Sequence, residues 1–300
     1  MEIKYMASIT KQELDDSVVI LCFDETSHPC IVIKNSQNKV VKKTMSTDNL
    51  EIKENGILEC EGEKYLVHII RSKSPMSSDF EVIYDYVFNN IKESIDDESL
   101  DLLVNSLDEY FRITPEVEKE RLQIGVYGEL LTILELNNNG YPEITKKYHK
   151  DFYSKHDVEI SNKLRLEIKT TNKESRIHTF KHNQISRDDV EVYVASSIVE
   201  KSSEGKSLYS LFTDVKNLYD DYTAKFELEK LKKRCGVSED NEGIKISYDK
   251  ARSDLKFYHA KNLPMITETI PKGITNVQYD TDCSLADDIQ IAKIIDIFNS

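Results

Sequence analysis

The chain has 300 residues, 39% of them hydrophobic and 31% charged, a balance typical of a globular protein with an ample core. No apolar run is long enough to span a bilayer, and we expect neither a secretory signal nor a membrane partner. A formal net charge of −14 argues against a general nucleic-acid binder, because contacts with phosphates dominate the affinity of such proteins. Five scattered cysteines without paired metal spacing favour reduced thiols and a cytoplasmic location.

Residues 1–75 are predicted to form an N-terminal β-rich domain. Runs rich in β-branched residues predict strands, and pairs of turn-forming residues punctuate them. The runs lie at 17–23, 30–33 and 65–70, and the turn pairs are Asn55-Gly56 and Glu61-Gly62. This region shows no catalytic constellation, so we expect it to support the fold or to contact DNA or a partner.

A helical connector is predicted at residues 76–113. Apolar residues recur at helical spacing over 80–112, and Asp96-Asp97 separates two such stretches. The connector is expected to bridge the β-rich domain to the rest of the chain.

A long helix is predicted from Thr114-Pro115-Glu116, where threonine is a typical N-cap and proline a typical first residue, to Asn137. Spacings of three and four place four residues on one face: Gly125, Gly128, Glu129 and Thr132. Each glycine costs a helix about 1 kcal/mol relative to alanine, so this bare face indicates close packing against another backbone. We interpret Glu129 as an acid presented toward a sheet; the alternative is tight packing with Glu129 in solvent.

The stretches 156–160 and 164–170 alternate polar and apolar side chains, which predicts a hairpin with one buried face. The residues predicted to point into the core are Val158, Ile160, Leu164, Leu166 and Ile168. The residues predicted to share the other face are Asp157, Glu159, Arg165, Glu167 and Lys169. A three-residue turn at 161–163 predicts the pairs Ile160–Leu164, Glu159–Arg165, Val158–Leu166 and Asp157–Glu167.

The predicted register opposes two carboxylates, Asp157 and Glu167, with Cβ atoms about 4.5–5.5 Å apart. Two such acids repel each other unless a cation lies between them. Magnesium takes carboxylate and water oxygens and keeps positions open for phosphate. Lys169 on the same face is suited to orient a water or to stabilise charge in a phosphoryl transition state. The alternative is a solvated polar face with ordinary surface charges.

Positive charge is concentrated around this hairpin. Residues 145–187 carry 11 Lys and Arg against 5 Asp and Glu, a local +6 that leaves −20 on the remainder, and four of the seven histidines lie there. Phosphate contacts position DNA, so a basic region around the site is what a DNA-cleaving centre needs. The side chains after the hairpin that are suited to phosphate contact are Lys173, Arg176, His178, Lys181, His182 and Arg187. A solvated loop with a short helix is the alternative.

The remainder of the chain alternates between apolar runs and helical spacings. The predicted elements are a strand at 190–195, an apolar run at 208–212, a helix at 214–234, short strands at 244–248 and 254–259, and a closing helix at 284–298.

The chain resembles the PD-(D/E)XK nuclease superfamily, to which many restriction endonucleases belong. The likeness is an acid on a helix, then an acid in a strand, then an acid-x-lysine in the next strand. The residues that carry this likeness are Glu129, Asp157 and Glu167-Ile168-Lys169, followed by Thr170-Thr171. His156 stands where the nominal motif has proline. More narrowly, residues 115–285 resemble a bacterial family of PD-(D/E)XK motif proteins found among anti-phage defence genes. That likeness rests on the Gly-x-x-Gly-Glu-Leu helix, the EIKTT strand, His182-x-Gln184 and GITNVQYD.

The resemblance implies a helix-strand-strand-strand-helix-strand core, a magnesium cofactor and DNA cleavage, with His182 and Gln184 entering the site. We therefore expect an α/β protein with a restriction-endonuclease-like core over residues 114–300, in which helices flank a central mixed sheet. The β-rich region is an N-terminal extension of that core.

The expected function is that of a magnesium-dependent DNA endonuclease in bacterial restriction or anti-phage defence, with manganese able to replace magnesium. The expected metal ligands are Asp157, Glu167 and Glu129, and the expected catalytic residues are these three with Lys169. The expected DNA contacts are Lys173, Arg176, His178, Lys181, His182 and Gln184. DNA is the expected partner, and a homodimer or a protein partner in a defence complex would be additional. The alternatives are a non-catalytic scaffold subunit of such a complex and an RNA nuclease with the same site.

Overall fold

The computed structural model describes residues 4–6, 9–35, 43–74, 78–93, 95–111, 116–148, 156–186, 189–267 and 270–300. The chain divides into two compact units, Met1–Arg112 with Asp221–Lys233, and Ile113–Asp220 with Arg234–Ser300. The helices predicted as a connector thus group with the β-rich region, and a later helix joins them.

Strands and helices alternate along the chain. The described strands are β1 Lys4–Tyr5, β2 Val19–Phe23, β3 Pro29–Lys34, β4 Lys43–Ser46, β5 Leu50–Cys60, β6 Glu63–Ser72, β7 Val158–Ser161, β8 Leu164–Thr171, β9 Ile177–Lys181, β10 Glu191–Ile198, β11 Lys201–Ser207, β12 Lys245–Ile246, β13 Lys256–His259 and β14 Gln278–Asp282. The described α-helices are α1 Lys11–Asp16, α2 Ser78–Asn90, α3 Asp97–Tyr110, α4 Glu116–Asn138, α5 His182–Ile185, α6 Leu208–Lys216, α7 Tyr222–Arg234, α8 Tyr248–Ser253 and α9 Ile291–Asn299. None of these described helices combines the length and the apolar character needed to cross a membrane.

The first unit is built on a mostly antiparallel sheet in the order β1–β2–β3–β6–β5–β4, in which β1 runs parallel to β2. Successive side chains of a strand point to opposite faces, and both faces of β3 are buried. Ile31 and Ile33 pack in one cluster with residues of α2 and α3 and with Phe226 of α7. On the other face, Val32 packs in a second cluster with Leu14 of α1.

The predicted strands of this unit are confirmed as β2, β3 and β6, and the two predicted helices as α2 and α3. The patterns do not predict β4 or β5. Asn55-Gly56 is a β-bulge inside β5 and not a break between strands, and Asn55 has φ of +51° there. Bulges and turns both use residues that tolerate positive φ, so only the pairing of β5 with its neighbours decides between them. Glu61-Gly62 does form the turn between β5 and β6.

The second unit has a central sheet in the order β13–β10–β8–β7. β8 and β10 run parallel, and the two outer pairs run antiparallel, so the sheet is mixed as predicted. One face is covered by an apolar cluster that includes Phe180 of β9, Val194 of β10 and Tyr258 of β13. Helix α4 contacts the sheet at β8 and β10.

The predicted close packing of α4 is present at one of its two glycines. A Cβ atom at Gly128 would lie 1.6 Å from Thr170 Oγ1, so only glycine fits against β8 at this point. At Gly125 a Cβ would meet no described atom within 4 Å, which corrects the expectation that both glycines pack closely. The helix ends at Asn138, and Gly140 two residues later adopts φ of +106°. The predicted start, Thr114-Pro115, lies outside the described residues.

Three C-terminal predictions need correction. The helix predicted at 214–234 is two helices, α6 and α7, and α6 already starts at Leu208 because Ser207 caps it by accepting a hydrogen bond from Ser210 N. The strand predicted at 244–248 is only β12, and α8 follows it, whereas β13 confirms the strand at 254–259. The closing helix starts at Ile291 and not at 284, because Ile289 forms a β-bridge with Phe257 that holds the chain extended just before α9.

Residues 172–189, for which the sequence leaves a solvated loop with a short helix as the alternative, contain the strand β9 as well as the short helix α5. Strand β9 pairs antiparallel with β14, near the end of the chain. Phe180 of β9 lies over Lys169 of the predicted hairpin, with its ring centre 5.5 Å from Nζ.

Candidate active site

Glu167 lies in β8 with only 2% of its side chain exposed, so the predicted polar hairpin face is buried at this acid, although Glu159 on the same face remains 42% exposed. Gln184 of α5 donates from Nε2 to Glu167 Oε1 at 2.9 Å, and Lys169 Nζ lies 2.6 Å from the same oxygen. The other oxygen, Oε2, accepts no hydrogen bond from the described residues and lies 3.4 Å from His156 Nδ1. A buried carboxylate needs partners, and here they come from β8, α5 and the residues before β7.

The hairpin follows the predicted register in part. The predicted pairs that the structure contains are Val158–Leu166 and Glu159–Arg165. At the turn a bulge shifts the register, so that Ser161 opposes Leu164 where Ile160 was predicted. The shift lies at the turn, so the side chains of the paired residues nearer the site keep their predicted faces.

Asp157 immediately precedes β7 and stands outside the paired strand residues, so the predicted strand pair Asp157–Glu167 is not present. Its Oδ2 accepts a hydrogen bond from the Ile168 backbone N at 2.6 Å. Burial raises the pKa of the Asp157 carboxyl well above its usual range, and the charges of Glu167 and Glu129 raise it further. The Ile168 N–H and the charge of Lys169 oppose this rise without cancelling it. Asp157 therefore lies close enough to both other acids to be repelled by their charges.

Lys169 is the cation of this acidic cluster. Burial by itself would lower its pKa, but the pKa is raised because Glu167 attracts and hydrogen-bonds the ammonium group. The charges of Asp157 and Glu129 add to this rise. The ammonium also lies 5.5 Å from the centre of the Phe180 ring, on the β9 side of the sheet. Lys169 is thus held in its charged form between three carboxylates and an aromatic ring.

Glu129 enters the site from α4, one residue after Gly128, and is half-buried. The Tyr148 hydroxyl donates to Glu129 Oε2 at 2.6 Å. Burial raises the pKa of Tyr148 well above its usual range, and the adjacent Glu129 charge raises it further, so the phenol is a donor. The structure therefore brings Glu129, Asp157, Glu167 and Lys169 into one cluster.

Two site neighbours are missing from the sequence prediction. Tyr148 carries no motif signal, and only the fold brings it to Glu129. His156 is noted in the sequence only as the residue at the nominal proline position. Its ring is 2% exposed and packs beside Glu167. Gln184, in contrast, is expected from the family resemblance, and its hydrogen bond to Glu167 places it in the cluster.

A family model described as "Putative PD-(D/E)XK family member, (DUF4420)" matches residues 5–284. The chain belongs to this PD-(D/E)XK family. Comparison with curated proteins and with solved structures finds no match. The matched region begins in the N-terminal β-rich unit and so extends well beyond the resemblance over residues 115–285. The mixed α/β architecture agrees with a PD-(D/E)XK-like fold.

Two residues predicted to contact DNA in this PD-(D/E)XK protein are buried instead. Arg176 donates from NH1 to the backbone O of Ser196 at 2.8 Å, and its NH2 bonds to the backbone O of Asp254. His178 Nε2 lies 2.7 Å from Ser196 Oγ. Both side chains satisfy buried polar groups of β10, and neither is available to a phosphate.

The other predicted DNA contacts differ in exposure. Lys173 and Lys181 are exposed and His182 is half-buried, with its ring centre 6.2 Å from that of Tyr279. His149 and Arg187, two further basic positions of this stretch, lie outside the described residues. Of the predicted DNA contacts that the structure describes, Lys173 and Lys181 are therefore the exposed lysines suited to phosphate contact.

A divalent metal is the cofactor that the PD-(D/E)XK family implies, and the donor set fits one. The charges of three carboxylates act on one lysine, and the pKa of Asp157 is raised by burial and by its acidic neighbours. Glu167 Oε2 is a buried oxygen that accepts no hydrogen bond from the described residues. Excess buried negative charge of this kind is neutralised by a hard cation. Among the described residues no three His, Cys, Asp or Glu side chains already form a ligand group. One oxygen of each acid is hydrogen-bonded to the protein, by Ile168 N for Asp157, by Gln184 for Glu167 and by Tyr148 for Glu129.

The burial of His178 predicts a loss of stability in acid. Burial lowers its pKa from 6.5 to about 4, and the charges of Lys169 and Arg176 contribute. Because the folded pKa is below the unfolded one, its contribution is fully present above about pH 6.5 and is lost as the pH falls toward 4, by roughly 3 kcal/mol in total. Urea unfolding followed by circular dichroism between pH 7 and pH 4 should show a shallower decline for His178→Gln than for the unchanged protein. Equal declines would contradict this assignment.

Proposed function

We propose that this PD-(D/E)XK protein is a magnesium-dependent endonuclease that hydrolyses phosphodiester bonds of DNA, with manganese able to replace magnesium. The observation that carries the proposal is the ion pair between the buried Glu167 and Lys169, with Asp157 and Glu129 close enough to shift the pKa of the lysine. An acidic cluster of this composition in a family of this fold suits phosphodiester hydrolysis better than any other reaction.

Asp157, Glu167 and Glu129 would hold the cation. When bound, a divalent cation polarises a phosphodiester and lowers the pKa of a coordinated water. Glu167 shares Oε1 with Lys169 and Gln184, and its Oε2 accepts no hydrogen bond from the part of the chain that the structure describes. Burial of Glu167 strengthens the electrostatic interactions that this acid makes.

Lys169 would orient the attacking water and stabilise negative charge on the phosphate in the transition state. Its charged form is secured by Glu167, and its position by the pairing of β8 with β10 and by Phe180. A lysine fixed by a rigid strand needs little reorganisation when charge develops on the substrate.

DNA would be guided by the local positive charge of residues 145–187, with Lys173 and Lys181 as exposed phosphate contacts. The negative charge on the remainder of the chain disfavours binding elsewhere on the surface. The family resemblance supports DNA over RNA as the substrate and a place in restriction or anti-phage defence. The same resemblance supports a homodimer or a partner in a defence complex. They are part of the proposal on that basis.

The direct test is cleavage of supercoiled plasmid and of a structured RNA by the purified full-length protein. Nicked and linear plasmid should appear with magnesium or manganese and disappear with EDTA. Lys261→Met, which changes an exposed lysine after β13, is the matched control and should cut as the unchanged protein does. Cleavage that persists in EDTA would contradict the metal dependence, cleavage of RNA only would contradict the substrate, and the absence of any cleavage would favour the scaffold alternative.

A further inference from the structure

We infer that Tyr148 is a positioning residue that holds the Glu129 carboxylate toward Asp157 and so completes the metal-binding acids. The inference rests on the proposed metal-dependent function and adds a residue that the motif does not contain. Its basis is a hydrogen bond that joins two elements which carry different acids of the cluster.

A short hydrogen bond joins Tyr148 to Glu129. The Tyr148 hydroxyl lies 2.6 Å from Glu129 Oε2, within the range of a hydrogen bond from a hydroxyl to a charged carboxylate. Tyr148 is only 7% exposed, so water does not compete freely for this contact. A phenol is a single directed donor, and it fixes which oxygen of Glu129 faces the protein.

The backbone of Tyr148 is attached to the strand that follows Asp157. It follows the short 3-10 helix Pro142–Lys146 and forms an antiparallel β-bridge with Val158, the residue next to Asp157. The preceding residue, Lys147, bonds through Nζ to the backbone O of Ile160 in the same strand. The backbone of this segment is therefore attached to β7, while the Tyr148 side chain reaches α4.

The hydrogen bond from Tyr148 restrains the Glu129 side chain. Glu129 and Asp157 repel each other, and a glutamate side chain with free rotamers would relieve this repulsion by turning toward solvent. Tyr148 opposes that movement because its backbone is fixed beside Asp157 and its hydroxyl is bonded to Glu129. Outer partners of metal-binding acids commonly change metal affinity 10-fold to 100-fold when they are removed.

The test is calorimetric titration of manganese alone into the full-length protein and its variants. Tyr148→Phe should weaken manganese binding about 10-fold, while cleavage at saturating manganese stays within a few-fold of the unchanged protein. Tyr141→Phe is the matched control, since the buried Tyr141 hydroxyl makes no hydrogen bond to the described residues, and it should leave the affinity unchanged.

Two further variants test the bond from the helix side. Glu129→Asp keeps the charge but shortens the side chain, and we expect it to weaken manganese binding as Tyr148→Phe does. Adding Tyr148→Phe to Glu129→Ala should cause no further loss, because the hydroxyl acts only through Glu129. Circular dichroism of each variant controls for folding.

The outcomes separate this inference from the proposed function. If the unchanged protein binds manganese and Tyr148→Phe binds it equally well, the role of Tyr148 is wrong and the metal site stands. An equal loss from Tyr148→Phe with and without Glu129 would also overturn the role, because the phenol would then act elsewhere. If the unchanged protein binds no manganese, the metal-dependent function and this inference fall together.

Discussion

Lys169→Met is expected to reduce metal-dependent DNA cleavage by on the order of 10²–10³-fold, the usual cost of removing one group that stabilises a transition state. Methionine keeps an unbranched apolar chain of nearly the same length as the aliphatic part of lysine, so the loss should reflect mainly the missing ammonium group. The measurement is the initial rate of plasmid cleavage at saturating manganese, with Lys261→Met as the control for a surface lysine.

The same variant has a second, independent consequence. Without the Lys169 ammonium, Glu167 keeps its buried carboxylate but loses its charged partner at 2.6 Å, and an uncompensated buried charge is destabilising. Manganese should therefore raise the melting temperature of Lys169→Met more than that of the unchanged protein. The double variant Glu167→Gln with Lys169→Met removes both charges and should fold well, remain inactive and lose this response.

Retention of full cleavage by Lys169→Met would place the catalytic site elsewhere. A loss of cleavage together with an unfolded circular-dichroism spectrum would instead identify a structural defect. The double variant distinguishes the two cases, because it restores the charge balance of the buried site without restoring the lysine.

Gly128→Ala is expected to destabilise the protein by about 1–3 kcal/mol or more, the usual cost of overpacking a core. The added Cβ would lie 1.6 Å from Thr170 Oγ1 and 2.7 Å from Thr170 Cβ. Rotation of the threonine side chain moves Oγ1 but leaves its Cβ in place, so α4 itself would have to shift away from β8. Glu129 is the next residue of α4, and we expect cleavage to fall together with stability.

Gly125→Ala is the matched control for this prediction. Beyond its chain neighbours and the backbone of its own helix, no described atom lies within 4 Å of a Cβ at that position, so alanine should stabilise the helix by about 0.5–1 kcal/mol. Urea unfolding followed by circular dichroism suits both variants, because the chain has no tryptophan. Combining Gly128→Ala with Thr170→Gly removes the obstructing side chain and should recover part of the loss. A Gly128→Ala variant as stable as Gly125→Ala would contradict the close approach of α4 to β8.

Local pattern predicts a large part of this site. Side chains two residues apart in a strand share a face, so the spacing of Glu167 and Lys169 already places the acid beside the lysine. A turn after Ile160 then brings Asp157 to the same end of the hairpin. Two glycines in a strong helix indicate close packing, although only Gly128 has it.

Local pattern fails where a distant segment completes the environment. Arg176 and His178 look like basic surface residues, but both are buried. Arg176 donates to the backbone O atoms of Ser196 and Asp254, and His178 Nε2 lies within hydrogen-bond distance of Ser196 Oγ. Asn55-Gly56 looks like a break between strands and is a bulge because the strand continues its pairing on both sides of it.

The sequence by itself determined which side chains of the hairpin share a face, that an acid lies on the bare side of the preceding helix, and that the fold is mixed α/β. These features depend on the short-range geometry of strands and helices, which repeats every two or every 3.6 residues. Only the tertiary structure decided that Glu167 is buried, because α5 and β9 must first pack over the sheet. It also decided that Tyr148 meets Glu129, because that contact joins residues 19 positions apart through the pairing of Tyr148 with β7.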